Sequence, residues 1–184
     1  CMTRKDKSTV RTILFDLDGT LADTAPDLAN ALNKVRESHG LKNIPFELIR
    51  PIVSHGAAAL IYQGFELSAG DHGFEEIRDE LLDHYRRNIA KETRLFPGMD
   101  LVLARIEATG RNWGVVTNKP SWLTEPLMQS LELSQRAACI VSGDTLSVRK
   151  PDPAPMHFAC QLAGSKSEDC LYIGDAKRDI EAGR

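Results

Sequence analysis

No run in the 184 residues is long and apolar enough to span a bilayer. The opening stretch, Cys1 to Lys7, is charged and has no apolar core, which argues against a secretory leader and for a cytoplasmic protein. Cationic excess is missing too. The chain has 23 lysines and arginines against 26 aspartates and glutamates, a formal net charge of -3, and no basic cluster stands out, so nucleic acid is not an expected partner. Cysteine is scarce. Cys1, Cys139, Cys160 and Cys170 form no C-x-x-C pair and have no histidine cluster beside them, which excludes the common zinc spacings. Cys139 and Cys170 fall in apolar runs and are expected as buried free thiols of a reducing compartment. There is no internal repeat and no low-complexity segment. The remaining composition, 42% apolar and 27% charged, suits one substantial core with a smaller appended unit.

Two rhythms divide the chain. Val10 to Phe15 is rich in β-branched and aromatic residues and reads as a strand buried on both faces, running into an Asp16-Leu-Asp-Gly-Thr20 loop. Thr24-Ala-Pro-Asp27 then has the form of a helix start, with Thr24 as cap, Pro26 in the first turn and Asp27 at the positive end. Leu28, Ala31, Leu32 and Val35 follow at helical spacing, and Gly40 stops the helix. To about Thr93 the pattern stays helical, with no strand expected: Ile44 to Val53 interrupted by Pro51, Ala57 to Phe65, and a stripe of Phe74, Ile77, Leu81, Tyr85 and Ile89.

After Phe96-Pro-Gly98 strands and helices alternate. Helices are expected near 101–108, 121–131 and 155–163, and strands at Trp113 to Thr117, Cys139 to Val141 and Cys170 to Ile173. That alternation predicts an α/β fold, a Rossmann-like doubly wound parallel sheet, with a small helical cap domain inserted after the first strand. The core is expected at residues 8–23 and 96–184 and the insertion at 24–95. The chain stops shortly after its fourth strand, so a fragment of a longer protein is expected, lacking a final strand and helix.

In an open parallel sheet ligands bind beyond the carboxyl ends of the strands. Polar groups converge there: Asp16 and Asp18 after the first strand, Thr117 and Asn118 at the second, Lys150 beyond the third, and Gly174-Asp175 after the fourth, with Asp179 just behind. Phosphate monoesters hydrolyse very slowly, so a catalyst needs a placed nucleophile and neutralised phosphoryl oxygens. Asp16 can attack, and Asp18, two residues on in an extended segment, can protonate the leaving oxygen and then activate water. Clustered carboxylates facing a dianion require a hard cation. Magnesium held by Asp16, Asp175 and the main-chain carbonyl of Asp18 fits. Thr117, Lys150 and N–H groups around Gly19 and Asn118 would hold the phosphoryl oxygens.

Asp16-Leu-Asp-Gly-Thr-Leu-Ala-Asp-Thr, Val-Val-Thr117-Asn-Lys-Pro, Arg-Lys150-Pro-Asp-Pro and Ile-Gly-Asp175-x-x-x-Asp179 resemble the four motifs of haloacid dehalogenase-like hydrolases, in order and in residue type. Within that superfamily the chain is similar to the phosphoglycolate phosphatase group. Ile49-Arg-Pro-Ile-Val-Ser-His-Gly-Ala, Trp113-Gly-Val-Val-Thr-Asn-Lys-Pro and Asp179-Ile-Glu-Ala-Gly-Arg resemble the N-acetylmuramic acid 6-phosphate phosphatases of cell-wall recycling. The resemblance implies Asp16 as nucleophile, Asp18 as acid and base, Asp175 as metal ligand supported by Asp179, and Thr117, Asn118 and Lys150 as phosphate ligands. The expected partner is a small phosphorylated metabolite; the oligomeric state is not legible.

Other readings are weaker. Asp16-x-Asp-Gly lacks the further oxygens and terminal glutamate of a calcium loop. In receiver domains paired acids precede the accepting aspartate, whereas here Asp175 and Asp179 come last; Asp18 argues against a dehalogenase. A phosphomutase of this fold, or a regulator that binds phosphate without turnover, are the alternatives. Asp23 is expected to cap or brace the first cap helix and Lys119 to be a solvated neighbour. Arg50 and His55, in the helical block, are candidates for substrate selectivity.

Overall fold

The four apolar runs form one parallel sheet in the computed structural model, which describes residues 10–184. Cys1 and the charged opening residues lie outside the described part. Strand β1 (Thr12–Phe15) is followed by the short β2 (Ala22–Asp23) and then by helices α1 (Ala25–Ser38), α2 (Phe46–Ile49), a 3-10 turn (Arg50–His55), α3 (Ala57–Phe65) and α4 (Phe74–Arg87). The chain returns through β3 (Arg94–Leu95) to α5 (Met99–Ala108), β4 (Asn112–Val116), α6 (Ser121–Ser130), β5 (Cys139–Val141), α7 (Ala154–Leu162), a 3-10 turn (Ser167–Asp169), β6 (Cys170–Ile173) and α8 (Lys177–Ala182). The sheet order is β5-β4-β1-β6, all parallel.

Period-2 alternation along buried strands builds the two faces. Ile13 and Phe15 of β1, with Trp113 and Val115 of β4, pack beneath Leu103 of α5 and Leu127 and Met128 of α6. Leu14 and Val116 point the other way, against Met156, Ala159 and Cys160 of α7 and Ala182 of α8. Helices therefore cover both faces, the doubly wound arrangement the alternation predicts. Cys139 is buried as expected. Cys170 is only half-buried, because β6 is an edge strand whose residues alternate between half-buried and exposed.

The helices between β2 and β3 have their own apolar cluster. Leu32 and Val35 of α1, Ile49, Leu60, Ile61, and Phe74, Ile77, Leu81 and Tyr85 of α4 interlock, and Leu123 of α6 joins them from the core side. Each such side chain, fully enclosed, contributes roughly 1.5–3 kcal/mol. No strand forms between Thr24 and Thr93, as expected, but the exit segment pairs with the entry segment: Ala22 opposes Leu95 and Asp23 opposes Arg94 in an antiparallel ribbon. Two residues a side are too few for periodicity to reveal.

Asp27 closes that junction. It does sit in the first turn of α1, but it is buried and accepts hydrogen bonds from Glu92 N (3.0 Å), Thr93 N (2.9 Å) and Thr93 Oγ1 (2.7 Å). Asp27→Ala strands these donors in a dry site, so the expected loss is about 2–4 kcal/mol, read as a lower urea midpoint. An unchanged midpoint would refute the clamp. Among the described residues no helix is long and apolar enough to cross a membrane.

Candidate active site

Parallel strands in register end together, so the residues that follow them share one rim. Phe15 is level with Val115 and with Ile173. Asp16, Thr117 and Asp175, one or two positions further on, therefore meet at one edge. The main chain pins them there: Asp16 N donates to Ile173 O (2.8 Å) and Thr117 N to Val141 O (2.9 Å).

Lys150 is the hub of that rim. Its side chain is fully enclosed, with Nζ 3.0 Å from Asp16 Oδ1 and 2.7 Å from Asp179 Oδ1. It also donates to Val116 O (2.9 Å) and to Tyr172 Oη (2.7 Å). Three ammonium protons shared among four acceptors leave none over in this arrangement. Asp179 Oδ2 accepts Ala176 N (2.9 Å), and the Tyr172 hydroxyl lies 3.1 Å from Asp179 Oδ1. Burial opposes ionisation of Asp179, but Lys150 outweighs it and, with Ala176 N–H and Tyr172, holds its carboxyl below the ordinary range. Asp16 goes the other way: burial pushes its carboxyl up to about 6 despite Lys150, with the charges of Asp179 and Asp18 adding to the rise. Burial, then the same Asp16 and Asp179 charges, pushes the Tyr172 phenol up, so it remains a neutral donor.

Asp18 is held differently. Its Oδ1 accepts Thr24 Oγ1 (2.7 Å) and Lys119 Nζ (3.0 Å), while among the described residues no hydrogen bond reaches Oδ2. Two expectations are corrected here. Thr24 does not cap α1 with its side chain; the hydroxyl turns to Asp18 instead. Lys119 is not solvated: its side chain is 6% exposed. Burial disfavours that ammonium, but Asp18 outweighs it and the net shift is upward. Gly19 adopts a φ of 84°, and a Cβ there would lie 2.5 Å from Ser54 Oγ and 2.6 Å from Asp175 Oδ2. Only glycine lets the 3-10 turn and Asp175 close on this loop.

Carboxylate oxygens of Asp16, Asp175 and Asp179 lie within 4.8 Å of one another. An anionic, all-oxygen donor set suits a hard divalent cation. Asp179 already has both oxygens engaged, by Lys150 and by Ala176 N. Asp16 and the exposed Asp175, whose Oδ1 takes only the Thr20 hydroxyl (3.1 Å) among the described residues, are the pair left to hold such an ion.

The remaining predicted residues divide. Asn118 Nδ2 donates to Lys150 O (2.9 Å) and its Oδ1 accepts Lys150 N (3.0 Å), so its side chain fixes the lysine loop. Thr117, buried, accepts Lys119 N on Oγ1 (3.1 Å) and keeps its hydroxyl proton to donate. Arg50 pairs with Asp23 (2.8 Å), so Asp23 braces the helical block through that arginine rather than by capping α1. His55 is exposed and makes no hydrogen bond among the described residues, next to Ser54, which touches Gly19.

Several neighbours escaped sequence reasoning: Thr20, Lys119 as a partner of Asp18, Tyr172 and Arg178. Arg178 Nη2 donates to Ser54 O (2.6 Å) and lies 4.0 Å from Asp16 Oδ2, tying the 3-10 turn to the sheet rim. A cation in the first turn of a helix opposes the helix dipole, and that was the readable signal. For Tyr172 the signal was a phenol inside an apolar strand, which needs a partner for its hydroxyl.

A family model for haloacid dehalogenase-like hydrolases matches residues 13–184. An N-acetylmuramic acid 6-phosphate phosphatase of Pseudomonas putida is 42% identical over 175 residues, covering 95% of this chain and 78% of its own. A phosphoglycolate phosphatase of Xanthomonas campestris is 39% identical over the same share of each. The crystal structure of a predicted phosphoglycolate phosphatase from Haemophilus somnus superposes with a TM-score of 0.82 at 27% identity, over 97% of this chain and 82% of the other. With the motifs in order, the fold shared and the match spanning nearly every described residue, the chain belongs to the haloacid dehalogenase-like hydrolases, as a phosphoric monoester hydrolase.

Proposed function

We propose that the chain removes phosphate from a small phosphorylated acid, with magnesium, through a covalent aspartyl-phosphate on Asp16. The observation that carries this reading is the rim itself: a buried Asp16 that shares Lys150 with Asp179, close to Asp175 and two residues from Asp18. A carboxylate of Asp16 bonds to phosphorus as the ester P–O bond breaks, and the leaving oxygen takes a proton from Asp18. Asp18 then accepts a proton from the water that attacks phosphorus, and Asp16 is released with inorganic phosphate. Asp16, Asp175 and the carbonyl of Asp18 would hold magnesium, which when bound would neutralise charge on the phosphoryl oxygens.

Thr117 and the N–H groups near Gly19 and Asn118 hold those oxygens. Lys150 orders Asp16 and, through Asp179, the start of α8, and would join Thr117 in holding a phosphoryl oxygen by exchanging one of its four acceptors. Residues 24–95 act as a cap over the core formed by 8–23 and 96–184, with Arg50 and His55 placed to read the substrate. The reading sets the protein in the cytoplasm, where phosphorylated metabolites reside.

The substrate class follows from two relatives named for phosphorylated acids, 2-phosphoglycolate and N-acetylmuramate 6-phosphate. Arg50, paired here with Asp23, is the cap cation that would exchange that partner for the substrate's second acidic group. A phosphate-release panel tests it. The two acids should exceed neutral sugar phosphates in kcat/KM by about tenfold or more, the yield of one added ionic contact. Chelation of divalent ions should stop release. Equal rates on neutral and acidic esters would sink the substrate class, and a need for a bisphosphate activator would favour a mutase.

A further inference from the structure

We propose that Lys119, clamped between Tyr85 of the cap and Asp18 of the core, is a positioning residue that couples the seating of the cap to the orientation of Asp18; this rests on the acid–base reading of Asp18. Lys119 follows the phosphate-binding Thr117 by two positions and donates to Asp18 Oδ1 at 3.0 Å. On its other side Nζ stands 4.5 Å from the ring centre of Tyr85 in α4. An ammonium enclosed to this degree needs compensation from every side. One carboxylate oxygen and one aromatic face supply it.

The arrangement acts on Asp18 in a definite way. Thr24 and Lys119 both donate to Oδ1, so the rotation of the carboxylate is fixed and Oδ2 is the oxygen left for a leaving group or a water. Lys119 and Asp18 belong to the sheet side, whereas Tyr85 is brought by the cap. The ring covers Lys119 only when the cap sits on the core as here. A cap moved away returns the ammonium to water, weakens its hold on Asp18 and frees the carboxylate to turn. Nζ stands over the Tyr85 ring, and among the described residues the buried hydroxyl has no partner at hydrogen-bond distance, so the ring face is the contact Lys119 makes.

Leaving-group dependence separates positioning from mere support. An alkyl phosphate needs a proton on its leaving oxygen, whereas p-nitrophenyl phosphate departs without one, and kcat/KM reports only the step in which that group leaves. Asp18→Asn sets the reference: the ratio of the two kcat/KM values should move against 2-phosphoglycolate by on the order of 10²-fold. Lys119→Met should move the same ratio the same way, by about 10-fold or more, while kcat/KM for p-nitrophenyl phosphate stays within a few-fold. Tyr85→Leu should move it by a smaller factor, and Tyr85→Phe should leave it unchanged. If Lys119→Met fails to fold by circular dichroism, Tyr85→Leu decides by the same ratio. A ratio moved by Asp18→Asn but not by the folded Lys119 or Tyr85 variants overturns the proposal. If Asp18→Asn itself leaves the ratio unchanged, the acid–base reading falls and takes this one with it.

Discussion

Asp16→Asn should release no measurable phosphate, a loss on the order of 10⁴-fold or more, because an amide cannot form the acyl phosphate that divides the reaction into two steps. The fold should survive, and the cation-free protein should become more stable. Asp16 is enclosed, and burial lifts its carboxyl from 3.8 to about 6. A raised value means that the folded state prefers the protonated form. The stability this group contributes is therefore whole below about 4 and lost as pH rises through about 6. At pH 7.5 the ionised carboxylate costs about 3 kcal/mol relative to a neutral group. The amide removes that cost, so the variant should melt higher than the parent at pH 7.5 without divalent ions, and the gain should vanish toward pH 4. Added magnesium should raise the parent's midpoint and leave the variant's nearly unchanged, since one of the two available carboxylates is gone. Calorimetry at two pH values, with acid-quenched phosphoprotein as the chemical readout, checks both halves. A variant that still turns over and still traps phosphate after quench would end the covalent mechanism.

What could be read from the residues is what repeats or clusters. Continuous apolar, β-branched runs placed Thr12–Phe15 and Cys139–Val141, because a strand covered by helices on both faces is apolar at successive positions. Acids and a threonine directly after apolar runs placed Asp16, Thr117 and Asp175 at one rim, because parallel strands end together. Partners chosen by tertiary approach were not legible. Nothing in Asn-Lys-Pro tells whether Lys119 faces water or Asp18; the answer lies in Tyr85, dozens of residues earlier, which closes over it. Thr24 has every local mark of a helix cap, yet its hydroxyl turns to donate to the charged Asp18 carboxylate six residues before it instead of accepting from the helix N–H groups. The β2–β3 ribbon escaped notice for a different reason. Its pairing is set by the return of the chain after a helical excursion, and two residues carry no period. Asp27 combines both failures: its place in the first turn is readable, its partners at Glu92 and Thr93 are not.

Lys150→Met should be the most damaging single change to stability, and the deficit should be largest at high pH. The ammonium is the shared counter-charge of Asp16 and Asp179, both buried, and methionine keeps the stem while deleting the charge. Removing one partner from an enclosed ionic cluster costs about 3–5 kcal/mol, because the charges left behind have neither water nor a mate. In the parent, Asp179 is held below its ordinary value, so its contribution is present at neutral pH and is lost as pH falls beneath the normal carboxylate range. Without Lys150 the terms that oppose ionisation stand alone, burial above all, and both carboxyls should rise. The deficit should then be greatest near pH 8 and shrink as acid neutralises the stranded pair. Lys150→Met/Asp179→Asn should recover part of the loss, since the second change removes one of the orphaned charges and leaves an amide able to accept from Ala176 N. Urea unfolding at pH 8 and pH 5 provides the measurement. A single variant as stable as the parent at pH 8, or one whose deficit grows on acidification, would show that Lys150 is not what holds the acids of this rim together.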